Sequence, residues 1–415
     1  MSKRTCALCS TAIAALCIGL AAPAAVADPL WGLQIGTTAE DWSTGVAVDG
    51  DGNSVITGST TGPLGGTFKG VEDAHVIKIT PDGKIVWRRQ PGTPQYDEAE
   101  SIAVDGAGNI FVVGWTEGAL AGTNKGGADP FIIKFSPDGG YLWKRQPGTS
   151  ARDRALGVAT DSTGNVFVVG ESGENRDMDG WVIKYDADGH QLWKRLQATD
   201  ASDGAYGVVT DDAGNAYVVG NTAGALGGTK KGDLDLFLIK YSPTGAVLWK
   251  RQPGTPTWDA TSGIAIDDQG HLYLAGTTEG ALVGTNKGGD DVFVIQLDTD
   301  GRFLWTRQFG TAVDDGVEGI AGGPGGTVSI AGYTSGSLFA PNQGGEDAWA
   351  ATYDAAGVRQ WVEQTGTAED DGANSVAVDV DGSVFSYGTT YGPLAGPNQG
   401  NTDLFLLKYA PGAAQ

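Results

Sequence analysis

Cysteine is almost missing from this chain: Cys6, Cys9 and Cys17 are the only three, all within the first seventeen residues. Everything downstream lacks a disulfide and any thiolate that could act as nucleophile or metal ligand. Histidine is equally scarce, and His75, His190 and His271 are spaced too irregularly for a metal motif. His75 sits where other repeats carry Phe, which makes it a packing residue, and the other two fall in turns. After residue 27 no apolar run is long enough to span a bilayer. No helical periodicity, nucleophile elbow, zinc-protease motif or phosphate loop occurs. Basic charge is short as well: 27 Lys and Arg stand against 50 Asp and Glu, a formal charge of −23. That balance excludes nucleic acid and anionic lipid as natural partners and suits solubility or attraction of cations.

Residues 1–27 read as a secretory leader. Lys3 and Arg4 precede an apolar stretch through Ile13, Leu16, Ile18 and Leu20, and Ala25-Val26-Ala27 supplies the small residues of a cleavage site before Asp28. The leader takes two basic residues and no acidic one, so the mature charge is −25. Residues 28–415 contain no Pro/Ser-rich linker and read as one domain, secreted to the periplasm or the exterior and monomeric, with no membrane insertion.

That domain restates one unit seven times. Trp31, Trp87, Trp143, Trp193, Trp249, Trp305 and Trp361 recur at spacings of 56, 56, 50, 56, 56 and 56 residues, a period that belongs to stacked supersecondary units. In the unit around residues 100–147, Ser101–Asp105 is a short strand and Ile110–Gly114 a second, apolar on both faces. A Gly-rich loop leads to a third at Phe131–Phe135. Pro137-Asp138-Gly139-Gly140 makes a tight turn into the fourth, Tyr141–Arg145, whose Lys and Arg are expected to guard an outer edge. Four antiparallel strands per unit and seven units predict an all-β, seven-bladed β-propeller. The last repeat stops after its third strand at Tyr409, and the missing tryptophan strand stands at the other end, around Trp31. Ring closure by that N-terminal strand is therefore expected.

Trp-x-Arg-Gln-x-Gly-Thr, Val-Asp-x-x-Gly-Asn, Asp-x-Phe-Ile-x-Lys-Tyr and Asp-Gly-x-x-x-Trp together resemble the bacterial seven-bladed beta-propeller (SBBP) repeat family. The resemblance implies a propeller on an exported bacterial protein and carries no catalytic residue with it.

Three sets of aspartate recur. Asp41, Asp97, Asp153, Asp203, Asp259, Asp315 and Asp371 follow a repeated Thr by four residues. Asp73, Asp129, Asp179, Asp235, Asp291, Asp347 and Asp403 stand two before the aromatic of strand three. Asp49, Asp105, Asp161, Asp211, Asp267 and Asp379 open the turn after strand one, with Gly323 in blade six. The first two sets belong on one rim and the third on the other. Seven identical copies favour a structural reading, carboxylates accepting loop N–H groups. The alternative is a Ca²⁺ site near the channel mouth, with Asp203, Asp259, Asp315 and Asp371 as its candidate ligands.

Departures from the repeat point to function more directly. Blade three has lost six residues from its long loop, and Arg152, Arg154 and Arg176 appear on an otherwise acidic rim. With Trp115 and Glu174 they form a candidate notch for a sugar or carboxylate, by aromatic stacking and a guanidinium fork. The function expected from this is an exported binding or scaffold protein, its ligand an extracellular glycan or protein. A carbohydrate-active hydrolase or lyase is the second reading, which a buried carboxylic acid of raised pKa beside Arg152 or Arg176 would favour. A purely structural envelope component is the third. No catalytic set emerges.

Overall fold

The computed structural model describes residues 25–26, 28–174 and 177–412. Most of the leader and Arg176 lie outside the described residues. Seven sheets form in chain order, each with four antiparallel strands counted outward from the channel. Blade 2 is representative: Asp97–Val104, Ile110–Thr116, Asp129–Phe135 and Tyr141–Arg145. The first strand starts four residues earlier than the sequence suggests, because the inter-blade loop is tied down: Asp97 N–H donates to Glu72 O at 3.0 Å.

Blade 7 takes Asp371–Val378, Val384–Thr390 and Asp403–Tyr409 from the C-terminal end and Trp31–Ile35 from the other. Trp31 pairs with Lys408 and Ile35 with Leu404, antiparallel throughout. The ring is closed by the N-terminal strand, as its tryptophan indicates, and no blade is left short of a strand. The two-residue strand Ala25–Val26 runs parallel along Trp361 and Val362 on the outer edge of blade 6.

The core lies between blades, which is why no unit can fold alone. Middle strands such as Ile110–Thr116 and Asp129–Phe135 are buried along their whole length, so their apolar side chains pack on both neighbouring sheets. Phe167, Val169 and Val182 of blade 3 meet Val208, Val218 and Phe237 of blade 4 in one cluster. Across the seam, Ile35, Phe385 and Tyr387 of blade 7 meet Val46, Ile56 and Ile77 of blade 1 in the same way.

The repeated tryptophan clamps its blade to the next. Trp87 Nε1 donates to Pro137 O at 3.0 Å and Arg89 Nε to Gly139 O at 2.7 Å, while the guanidinium lies 5.3 Å from the indole centroid. The arginine is thus an inter-blade donor more than an edge guard. Gly139 must be glycine twice over: its φ is 76°, and an added Cβ would come within 2.9 Å of Trp87.

Candidate functional site

The aspartate sets resolve into three fastenings. Asp259 Oδ2 accepts from Thr255 N–H at 2.5 Å and Thr255 Oγ1 at 2.8 Å, and Oδ1 accepts from Thr278 Oγ1 at 2.5 Å. Asp371 repeats the pattern, and Asp315 repeats it except that the Thr311 hydroxyl donates to Val313 O instead. Asp203 keeps the Thr199 bonds, but its Oδ1 is buried without a partner. In the second set Asp235 accepts from Lys231 N–H, Gly232 N–H and Gln252 Nε2 at 2.7–3.1 Å. Among the described residues blade 3 shows no such fastening at Asp179; its loop has shrunk to a hairpin in which Glu174 pairs with Asp177. On the far rim Asp49 holds its turn and meets Lys78 Nζ at 2.8 Å. Burial pushes the Asp49 carboxyl up, but the Lys78 and Asn53 bonds outweigh it and leave the pKa lowered. Among the described residues no three His, Cys, Asp or Glu side chains converge to hold a metal ion.

His75 is fully buried at the packing position its repeat implies, 3.2 Å from the Tyr387 hydroxyl, and burial drives its pKa down to about 3.

The variable chemistry sits elsewhere, on seven β-bulges. Each innermost strand slips by one residue against its neighbour at the same place, between Ser43 and Gly45 in blade 1 and between Ala99 and Ser101 in blade 2, for example. The extra residues are Thr44, Glu100, Leu156, Tyr206, Ser262, Glu318 and Asn374. All seven line one cavity of about 350 Å³ at the loop-side mouth of the channel, and the channel continues beyond them as a space of about 390 Å³. Thr44 and Ser262 spend their hydroxyls on the backbone of the next blade, on Ala99 O at 2.8 Å and Val317 O at 2.5 Å. Asn374 accepts from Ser43. Glu100, Leu156, Tyr206 and Glu318 are the large or charged members of this ring.

The notch suggested by the arginines adjoins this ring. Trp115 is on the second strand of blade 2 rather than in a loop, paired with Glu98, and its indole donates to Glu100 Oε1 at 3.0 Å. Arg152 stacks over the Trp115 ring at 5.5 Å. Arg154 meets Glu171 at 3.6 Å, and its Nε is buried without a partner. The guanidinium groups therefore stand among carboxylates. Glu174 sits exposed at the tip of the blade 3 hairpin.

Burial, with the charges of Glu100 and Glu72, raises the Glu98 pKa to about 8 against the opposing pull of Arg154 and Arg152. Glu100 is raised too, by burial first, against the opposing Trp115 bond. Across the ring Glu318 is open to the channel on one side, and the protein around it, with Glu346 nearby, lifts it to about 7.

Glu98 and Glu318 set a pH dependence. Unfolded glutamates titrate near pH 4.3 or so, so between there and about pH 8 the folded protein holds protons that the unfolded chain releases. Stability must therefore fall as pH rises through this window, with the full penalty present above pH 8. The melting temperature of the wild type should drop from pH 5 to pH 9, and the Glu98→Gln/Glu318→Gln variant should flatten that slope. Parallel slopes for the two proteins would disprove this assignment.

The bulge column is legible in the sequence once the innermost strands are aligned. Ala, Ser, Thr or Val precedes it and Gly or Ser follows, while the column itself reads Thr, Glu, Leu, Tyr, Ser, Glu, Asn. Attention to repeated aspartates passes over it, and of these seven only Tyr206 stands out as an extra aromatic.

Three stretches, residues 30–65, 86–120 and 193–227, match the SBBP beta-propeller repeat. The chain is similar to the regulatory protein FlaEY of Caulobacter vibrioides, with 32% identity over 165 residues, covering 36% of this chain and 17% of that one. It is also similar to an uncharacterized WD repeat-containing protein of Acanthamoeba polyphaga mimivirus, with 26% identity over 152 residues, covering 30% of this chain and 11% of that one. The match thus spans less than a fifth of either relative. Among solved structures, a mutant puromycin hydrolase complexed with PGG aligns at a TM-score of 0.51 and 13% identity, over 86% of this chain and 51% of that one. That likeness concerns the fold alone. The seven closed sheets make this chain a seven-bladed β-propeller, three stretches of which match the SBBP repeat.

Proposed function

We propose that this is an exported binding protein that takes its ligand at the loop-side mouth of the channel. One observation carries the reading: the bulge ring varies among six residue types over seven blades while most of the fastenings around it recur, so the scaffold does not dictate its chemistry. A mouth holding Glu100, Glu318 and Tyr206, with Arg152 on Trp115 beside it, offers acceptors, one cationic donor and stacking faces. Those suit the hydroxyls of an extracellular glycan, or a protein loop presenting Lys or Arg. The carboxylates around Arg152 and Arg154 weigh against the anionic ligand that the arginines alone suggest.

A screen of the mature protein against a glycan array and a peptide library, with and without chelator, supplies the ligand. Glu100→Gln/Glu318→Gln and Arg152→Ala should each weaken binding at least about tenfold, a loss of roughly 1.4 kcal/mol. A Glu174→Ala change at the hairpin tip should weaken it less. Undiminished binding by both mouth variants would move the site off the channel.

A second reading, a carbohydrate-active hydrolase or lyase, draws support from Glu98. A carboxyl still protonated at neutral pH beside Arg152 and Arg154 suits a general acid. Turnover of a glycan found in the screen, abolished by Glu98→Gln with binding retained, would establish it in place of simple binding.

A further inference from the structure

Five outer strands carry the same clamp. Arg89, Arg145, Arg195, Arg251 and Arg307 stand two residues after the repeat tryptophan. Each donates through Nε to a glycine carbonyl in the next blade's outer turn, at 2.7–3.0 Å. The outer strand of blade 6, Arg359–Thr365, should offer the same group to blade 7. There the residue is Glu363. An ionised glutamate has no proton to donate to a carbonyl, and the Glu363 Oε2 is buried with no hydrogen-bond partner among the described residues. With the leader's Ala25–Val26 still lying along Trp361 and Val362, burial, aided by the charge of Asp28, lifts the Glu363 pKa to about 7.

The connectivity of the ring explains the reversal. In blades 1 to 6 the turn before the outer strand is continuous chain. In blade 7 it is the seam, where the third strand ends at Tyr409 and the outer strand enters from the N-terminal side. Counting back from Trp31 as one counts back from Trp143 puts Asp28 at the place of Gly140, next to the clamp's glycine. Cleavage after Ala27, which the leader pattern predicts, turns the amide at this point into an α-ammonium. An acceptor carbonyl is replaced by a cationic donor, and its complement is then a carboxylate rather than a guanidinium.

We infer that Glu363 is the binding site for the α-ammonium of Asp28, and that removal of the leader completes the clamp between blades 6 and 7. Nearby cations are engaged elsewhere: Arg359 lies over Phe339 and Lys408 meets Asp379 on the far rim. Trp361 and Tyr409, stacked at 5.1 Å, wall the seam with apolar surface, and Tyr409 stays neutral because burial raises its pKa. The remaining charge facing Glu363 is the carboxylate of Asp28 itself, which the ammonium on the same residue offsets.

The test reads the amine directly. The chain beginning at Asp28 with a free N-terminus is labelled with limiting acylating reagent between pH 6 and pH 10, and labelling of Asp28 is followed by mass spectrometry. A free α-amine titrates near pH 7.7–8.0, which a peptide of residues 28–34 calibrates. In the folded protein the pKa should rise by about one unit and labelling at pH 7.5 should slow roughly tenfold, and Glu363→Gln should abolish both effects. Equal labelling of protein and peptide overturns the proposal even if the variant fails to fold. So does an exported protein whose first residue is not Asp28. The outcome is independent of what the channel mouth binds.

Discussion

Removing residues 28–36 from the mature chain should abolish the cooperative unfolding of the ring. The deletion takes away the whole outer strand Trp31–Ile35 and its pairing with Leu404–Lys408. It also removes the Gln34 amide that donates to Asp403 Oδ2 at 2.9 Å and to Gly392 O at 3.1 Å. Ile35 and Leu33 leave the cluster that joins blade 7 to blade 1, and Trp31 no longer donates to Pro81 O. Several hydrogen bonds at about 1 kcal/mol each and two or three buried apolar side chains at about 2 kcal/mol each amount to roughly 8–10 kcal/mol. That is of the order of a domain's entire stability. The truncated protein should show a broad, low-temperature transition by circular dichroism and should aggregate through the bare edge of Leu404–Leu407. A peptide of residues 28–36 added in trans should restore part of the transition. A melting curve identical to the full mature chain would remove the N-terminal strand from the closure of the ring.

The same strand shows how far the sequence carries. Trp31 at one end and a repeat lacking its tryptophan at the other are enough to close the ring, because a strand edge left unpaired is costly wherever the chain begins. Blade number follows from the tryptophan spacing, and strand order from the apolar segments and turns within one repeat. The limits of the strands do not: Asp97–Val104 and Val166–Glu174 extend beyond the apolar segments because tied loops and a tight hairpin prolong the pairing, which hydrophobic pattern cannot register. Arg145 reads as edge protection, since a basic residue on an outer strand usually is; its role on Gly189 O depends on a turn 44 residues away. The candidate site divides in a similar way. Arg152, Arg154 and Trp115 do lie together at one place on the rim. Of the carboxylates that surround them Glu98 and Glu171 come from regularly paired strands and Glu100 from a bulge, and a bulge leaves only an extra column in an alignment of repeats. Glu98 and Glu100, two apart on one strand, thereby both join the group, one paired with Trp115 across the sheet and the other bonded to its indole.

Whether the repeated aspartates hold the fold or an ion is decided at Asp259. Its carboxylate is fully buried and takes three hydrogen bonds from Thr255 and Thr278. Asp259→Ala strands an amide and two hydroxyls in the interior. At about 1–3 kcal/mol for an unsatisfied buried donor, with hydroxyls free to turn elsewhere, the expected loss is roughly 3 kcal/mol. Asp259→Asn keeps one acceptor oxygen and should lose about half as much. Asp203→Ala should also be milder, because Asp203 Oδ1 has no partner to abandon. Adding Thr278→Val to Asp259→Ala should cost less than the two separate losses combined, since both remove one bond. Urea unfolding of these variants, each with excess calcium and again with chelator, separates the two roles. A fastening gives the same loss in both solutions. A bound ion gives a wild type that itself weakens when chelator is added, with Asp203, Asp259, Asp315 and Asp371 variants insensitive to the treatment. The hydrogen bonds already filling the Asp259 oxygens lead to the first outcome.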